Sequence, residues 1–115
     1  MTEDVPLLVL CTAPDDERAA ELARGLVDAQ LAACVNVVGG VRSYYSWKGE
    51  VCEDAEVQLL IKTRQSRYEA LEGWLSSNHP YELPEILALR IERGSRAYLG
   101  WVADQTTAGA AEPPG

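Results

Sequence analysis

Residues 5–12, VPLLVLCT, are apolar at odd and even positions alike. That pattern predicts an inner strand, paired on both edges and covered on at least one face. Pro14 breaks the run, and Asp15, Asp16 and Glu17 follow it. Carboxylates there favour a helix start, because they accept from free amide groups and oppose the positive end of the helix dipole. Ala19, Ala20, Leu22, Ala23, Leu26, Val27 and Leu31 recur at steps of three and four, which predicts a helix of about four turns. Residues 34–38, CVNVV, begin a second strand. Gly39-Gly40 interrupts it as a bulge or bend, and VRSYYSW resumes it. Lys48-Gly49 is a two-residue turn in which Gly supplies positive φ. Residues 50–63 run back, with Val57, Leu59, Ile61 and Thr63 alternating against Gln58, Leu60 and Lys62.

Ser66-Arg67-Tyr68-Glu69 has the capping-box form S-x-x-E. Tyr68, Leu71, Trp74 and Leu75 give the helix behind it a buried stripe. Pro80 cannot continue that helix. Residues 85–91, EILALRI, predict a fourth strand, and Ser95 caps a short last helix carrying Tyr98, Leu99, Trp101 and Val102. The order is βαββαβ plus a terminal helix. Right-handed crossovers then give an α+β, ferredoxin-like fold with a four-stranded antiparallel sheet in the order 4-1-3-2. The hairpin of strands 2 and 3 is longer than the average strand pair. Residues 1–105 form the single domain, and 106–115, TTAGAAEPPG, read as a loose tail.

The chain has 115 residues, 47% of them hydrophobic, enough for one domain with a real core. Its net charge of −8 repels a phosphate backbone, so nucleic acid is not an expected partner. The acidic start, MTEDVP, and the short apolar run after it predict neither a secretory signal nor a membrane span. Three widely spaced cysteines without a CxxC fit free thiols in a reducing cytoplasm.

In this topology strand 4 lies antiparallel beside strand 1, so the end of one sits beside the start of the other. Cys11 and His79, the only histidine, are therefore expected at one edge of the sheet. A thiol and an imidazole together suit copper, or zinc with added ligands. The same residues also read as a small core side chain and a structural hydrogen bonder beside Pro80. Cys11 as a nucleophile with His79 as its base is a further possible chemistry at that edge, but no Ser/His/Asp arrangement or Gly-rich phosphate loop accompanies it, and no enzyme is expected. Tyr44, Tyr45 and Trp47 crowd one arm of the hairpin, where exposed rings mark an interface, so a homo-oligomer is expected. Lys62, Thr63, Arg64 and Arg67 form a cationic stretch in an acidic chain, read either as a ligand cleft or as ordinary surface pairs.

LCTAPDD (10–16), LAACVNVV (31–38), SYYSWKGEV (43–51), LLIKT (59–63) and HPYELPEI (79–86) resemble the CutA divalent-cation-tolerance proteins. The resemblance runs from about residue 7 to residue 102. It implies a tight homotrimer with the long hairpin building sheet between subunits, and a link to copper and other divalent cations. The copper ligands it implies map to Cys11, Asn78 and His79. Asn78 departs from the family's histidine pair, which leaves two soft ligands, and Gly39 stands where proline is common. The expected function is thus a cytoplasmic, homotrimeric, copper-binding tolerance protein. The alternative is a trimeric module that holds a small ligand or partner without a specific metal site.

Overall fold

The computed structural model describes residues 4–107. They run β1 (Pro6–Ala13), α1 (Asp16–Asp28), β2 (Cys34–Trp47), β3 (Glu50–Arg64), α2 (Gln65–Asn78), β4 (Leu87–Arg90) and α3 (Arg96–Gln105). The four strands form one antiparallel sheet in the order β2-β3-β1-β4. This is the expected ferredoxin-like α+β arrangement. Strand β4 is shorter than its apolar run, because only Leu87–Arg90 reach the ladder of β1.

Local chemistry sets most of the boundaries. Asp15 caps α1, its Oδ1 accepting from the Arg18 amide at 2.8 Å. The other end closes in a Schellman motif. Gln30 sits at φ 58°, its amide donates to Val27, and the Leu31 amide donates to Leu26. A glutamine holds the left-handed position where glycine is usual. The β2–β3 register shifts between Val38 and Val41, which is the bulge at Gly39-Gly40. Lys48 and Gly49 both have positive φ, as a tight hairpin turn requires.

The start of α2 differs from the capping-box expectation. The helix begins at Gln65, and Arg64 stands at its cap without a side-chain capping bond. The cap comes from Asp4, 62 residues earlier. Its Oδ1 accepts from the Ser66 amide at 3.0 Å, and its Oδ2 accepts from the Ser66 hydroxyl at 2.7 Å. Arg64 Nη1 pairs with the same carboxylate at 2.9 Å. A distant residue thus takes the role that local spacing had given to Ser66 and Glu69.

Alternation along β1 and β3 places Leu7, Val9, Cys11 and Ala13 with Val57, Leu59, Ile61 and Thr63 on one face. Leu22 and Leu26 of α1 and Leu71 and Leu75 of α2 cover it, and this is the core. The opposite face carries Leu8, Leu10, Leu60, Leu87 and Leu89 by register. Helix α3 lies only over the Pro6–Arg64 end of that face, where Thr106 is fully buried and its carbonyl accepts from Arg64. The folded chain therefore extends beyond residue 105. The remainder of the expected tail, 108–115, lies outside the described residues.

Helices α1 and α2 touch where Gly25 meets Trp74. A Cβ at Gly25 would overlap the Trp74 ring at Cζ2. Gly25→Ala is expected to lower stability by about 1–3 kcal/mol through overpacking, despite the better helix propensity of alanine. Urea denaturation checks it, and an unchanged or higher midpoint would show that the ring moves freely.

Candidate functional site

The end of β1 and the segment after α2 meet as the topology requires. His79 is the C-cap of α2, and its amide donates to the Leu75 carbonyl at 2.9 Å. Its ring then turns into the sheet edge and is nearly buried. Nε2 lies 2.7 Å from the Thr12 carbonyl oxygen, and Nδ1 accepts from the Tyr81 amide at 3.1 Å. A carbonyl requires a donor and an amide requires an acceptor, so the ring is the neutral Nε2–H tautomer. Tyr81 packs against it with centroids 4.8 Å apart. The Tyr81 hydroxyl donates to Glu56 Oε2 at 2.6 Å. Burial and that bond hold the phenol well above its usual range.

Cys11 points to the same carbonyl. Its Sγ lies 3.7 Å from the Thr12 oxygen, and the residue is fully buried. Burial first, then the charges of Glu85 and Glu56, push the thiol from 9.0 up to about 12. So the structure brings Cys11 and His79 together, as the sequence order predicts, but with their donor atoms already engaged. A copper or zinc ion needs a thiolate and a free nitrogen lone pair. Here the thiol keeps its proton at neutral pH, and the single lone pair of the imidazole is taken by Tyr81. Asn78 turns away, its amide donating to the Trp74 carbonyl at 2.8 Å. Among the described residues no group of three or more His, Cys, Asp or Glu side chains could hold a metal ion. As arranged, the pair does not fit a resident metal centre, and it fixes the 79–86 segment to β1.

The cationic stretch does not converge. Strand alternation puts Thr63 on the core face and leaves Lys62 and Arg64 on the outer face, where each is held by other partners. Lys62 bonds to Asn36 Oδ1 on the outer face. Thr63 is fully buried on the core face, its hydroxyl donating to the Leu31 carbonyl at 2.7 Å. Arg64 is held by Asp4 and by the Thr106 carbonyl. Arg67 is buried, and its Nε donates to the Gln30 carbonyl at 3.4 Å.

The hairpin aromatics stand out from the domain. Tyr44 is 61% exposed and its hydroxyl donates to Glu53 at 3.2 Å. Tyr45 is 42% exposed and bonds to Asp54. Trp47 is half-buried, with the Lys48 ammonium 5.7 Å from its ring. A larger feature escaped the sequence reading: Leu87 and Leu89 are 57% and 50% exposed, beside half-buried Leu8, Leu10 and Leu60. The signal was present in β1 and β4, each apolar at both parities. Two faces of one sheet both need cover, and only one receives it fully.

Alkylation tests the state of Cys11. At pH 8, iodoacetamide is expected to label half-buried Cys34 and Cys52 well before Cys11, and all three alike in urea. The raised thiol also has a sign in stability. The unfolded state loses this proton first, so stability falls as pH rises from about 9 towards about 12. Cys11 labelling as fast as Cys34 in the folded protein would refute both statements.

Comparison with known proteins adds a family. The family described as CutA1 divalent ion tolerance protein matches residues 7–105. A divalent-cation tolerance protein CutA of Thermus thermophilus is 46% identical over 99 residues, covering 86% of this chain and 96% of that protein. A CutA homolog of Xenopus laevis is 52% identical over 93 residues, or 81% of this chain, which spans 62% of that longer protein. Among solved structures, the divalent cation tolerance protein from Thermus thermophilus superposes with a TM-score of 0.86 at 46% identity, covering 88% of this chain and 98% of that one. The CutA1 structure from Oryza sativa gives 0.87 at 42% identity, with 91% and 97% covered. Fold, motif order and matched span agree throughout, and this chain belongs to the CutA1 divalent ion tolerance family.

Proposed function

We propose that the protein works as a homotrimer in the cytoplasm, in the response to divalent cations, and catalyses no reaction of its own. The observation that carries this reading is the uncovered leucine face together with the aromatic hairpin. Apolar area of this kind on an otherwise acidic chain is stabilised by burial against another copy. Three copies follow from the family resemblance, and the long hairpin has open backbone edges that a neighbouring strand can pair. Cys11 is a protonated, buried thiol and His79 is bonded at both nitrogens, which supports a non-catalytic role.

Copper and related ions enter as ions the trimer meets at low affinity, with no resident metal centre. A net charge of −8 raises the local concentration of any cation near the surface. Binding at Cys11 and His79 must displace a proton and the Tyr81 hydrogen bond, which weakens it. The small-ligand alternative built on Lys62, Thr63 and Arg64 has less support, because those three side chains do not share a site.

Light scattering after gel filtration is expected to give the mass of three chains. Replacing both Leu87 and Leu89 by Glu removes apolar surface from the outer face without touching the core, and should yield monomers. A monomeric wild type would sink the assembly. In a copper titration under reducing conditions, a competing chelator is expected to keep the metal, equally for wild type and His79→Ala. Tight uptake near one ion per chain that His79→Ala abolishes would overturn the low-affinity reading and make Cys11 and His79 a metal centre.

A further inference from the structure

Far from His79, at the opposite end of β1, a cleft of about 480 Å³ opens between α3 and the sheet. That volume lies in the range of small-molecule sites. Its apolar walls are Pro6, Leu99 and Val102, and its polar groups are Asp4, Arg64 and Arg96. The charges there are unequal in what remains to them. The Asp4 carboxylate already accepts from the Ser66 amide, the Ser66 hydroxyl and the Arg64 guanidinium. Arg64 is fixed in turn by two bonds from Nε and Nη2 to the Thr106 carbonyl. Asp4 and Arg64 therefore cancel. Arg96 is left: among the described residues it has no hydrogen bond or ion pair. Among the described residues the cleft thus holds one uncompensated positive charge beside an apolar wall, in a chain of net charge −8. Arg90 and Arg93 are also exposed, but they do not line this cleft.

We propose that this cleft binds a small organic monoanion, a carboxylate with an apolar body. A guanidinium forks two N–H donors to a carboxylate, and the Leu99–Val102 wall takes the body. A dianion is disfavoured, since one free cation balances one charge and the second would lie near Asp4. Gly100 lines the cleft, and a Cβ there would meet nothing within 4 Å. The site lies within one chain, independently of the low-affinity cation reading.

The test is titration of the full chain with benzoate, acetate and inorganic phosphate, followed by calorimetry and by the amide signals of Gly94, Arg96 and Gly100. Benzoate is expected to saturate. Acetate, which lacks the apolar body, and phosphate should each bind about tenfold more weakly. Arg96→Ala, a surface change, should weaken benzoate by roughly tenfold or more. Gly100→Leu puts a bulky apolar side chain on the cleft's lining, keeps the helix and leaves every charge in place; it should weaken binding about tenfold or more. Signals that stay unsaturated with benzoate in the wild type would overturn the proposal. So would an affinity that Arg96→Ala or Gly100→Leu leaves unchanged, or phosphate binding as tightly as benzoate.

Discussion

A four-stranded sheet has two faces, and this chain carries enough helix to close one of them. Burying the face of Val9, Leu59 and Ile61 under α1 and α2 makes the core. Nearly every other feature follows from how the remaining face and the sheet's two ends are handled. Helix α3 covers one end of the second face. The leucines beyond it stay in water in the single chain, and they are the physical reason to look for further copies. Stability and assembly are coupled here, because the same strands β1 and β4 supply both surfaces.

The two ends of β1 are secured by different means. At one end His79 joins three backbone segments: the last turn of α2, the Thr12 carbonyl and the Tyr81 amide. A neutral imidazole suits this because it donates and accepts on opposite sides of one rigid ring. At the other end Asp4 joins the start of the chain to the start of α2 and to Arg64. His79 reads in the sequence as a candidate metal ligand and Asp4 as an ordinary acidic residue, yet in the fold both act by bonding to backbone groups of distant elements. The metal reading of Cys11 and His79 weakens for the same reason: atoms that hold the fold are not open to a metal.

Nearness in sequence proved a poor guide to sites on strands. Lys62, Thr63 and Arg64 read as a cluster, yet strand geometry sends alternate side chains to opposite faces. The cleft that does exist combines Arg64 with Arg96, from elements far apart in sequence. Its free charge is visible only once the partners of Asp4 and Arg64 are known.

Periodicity by itself determined the strands, the helices and their order, because alternation by two and recurrence at three and four are written residue by residue. Asp15, Gly39-Gly40 and Lys48-Gly49 placed a cap, a bulge and a turn for equally local reasons. Antiparallel pairing then brought Cys11 and His79 to one edge. Only the tertiary structure decided what those residues do there, since hydrogen-bond partners such as Thr12 and His79 are separated by 67 positions. It alone moved the cap of α2 to Asp4 and showed which sheet face lacks cover. Local pattern names the element, whereas burial and satisfaction of polar groups depend on every element that arrives beside it.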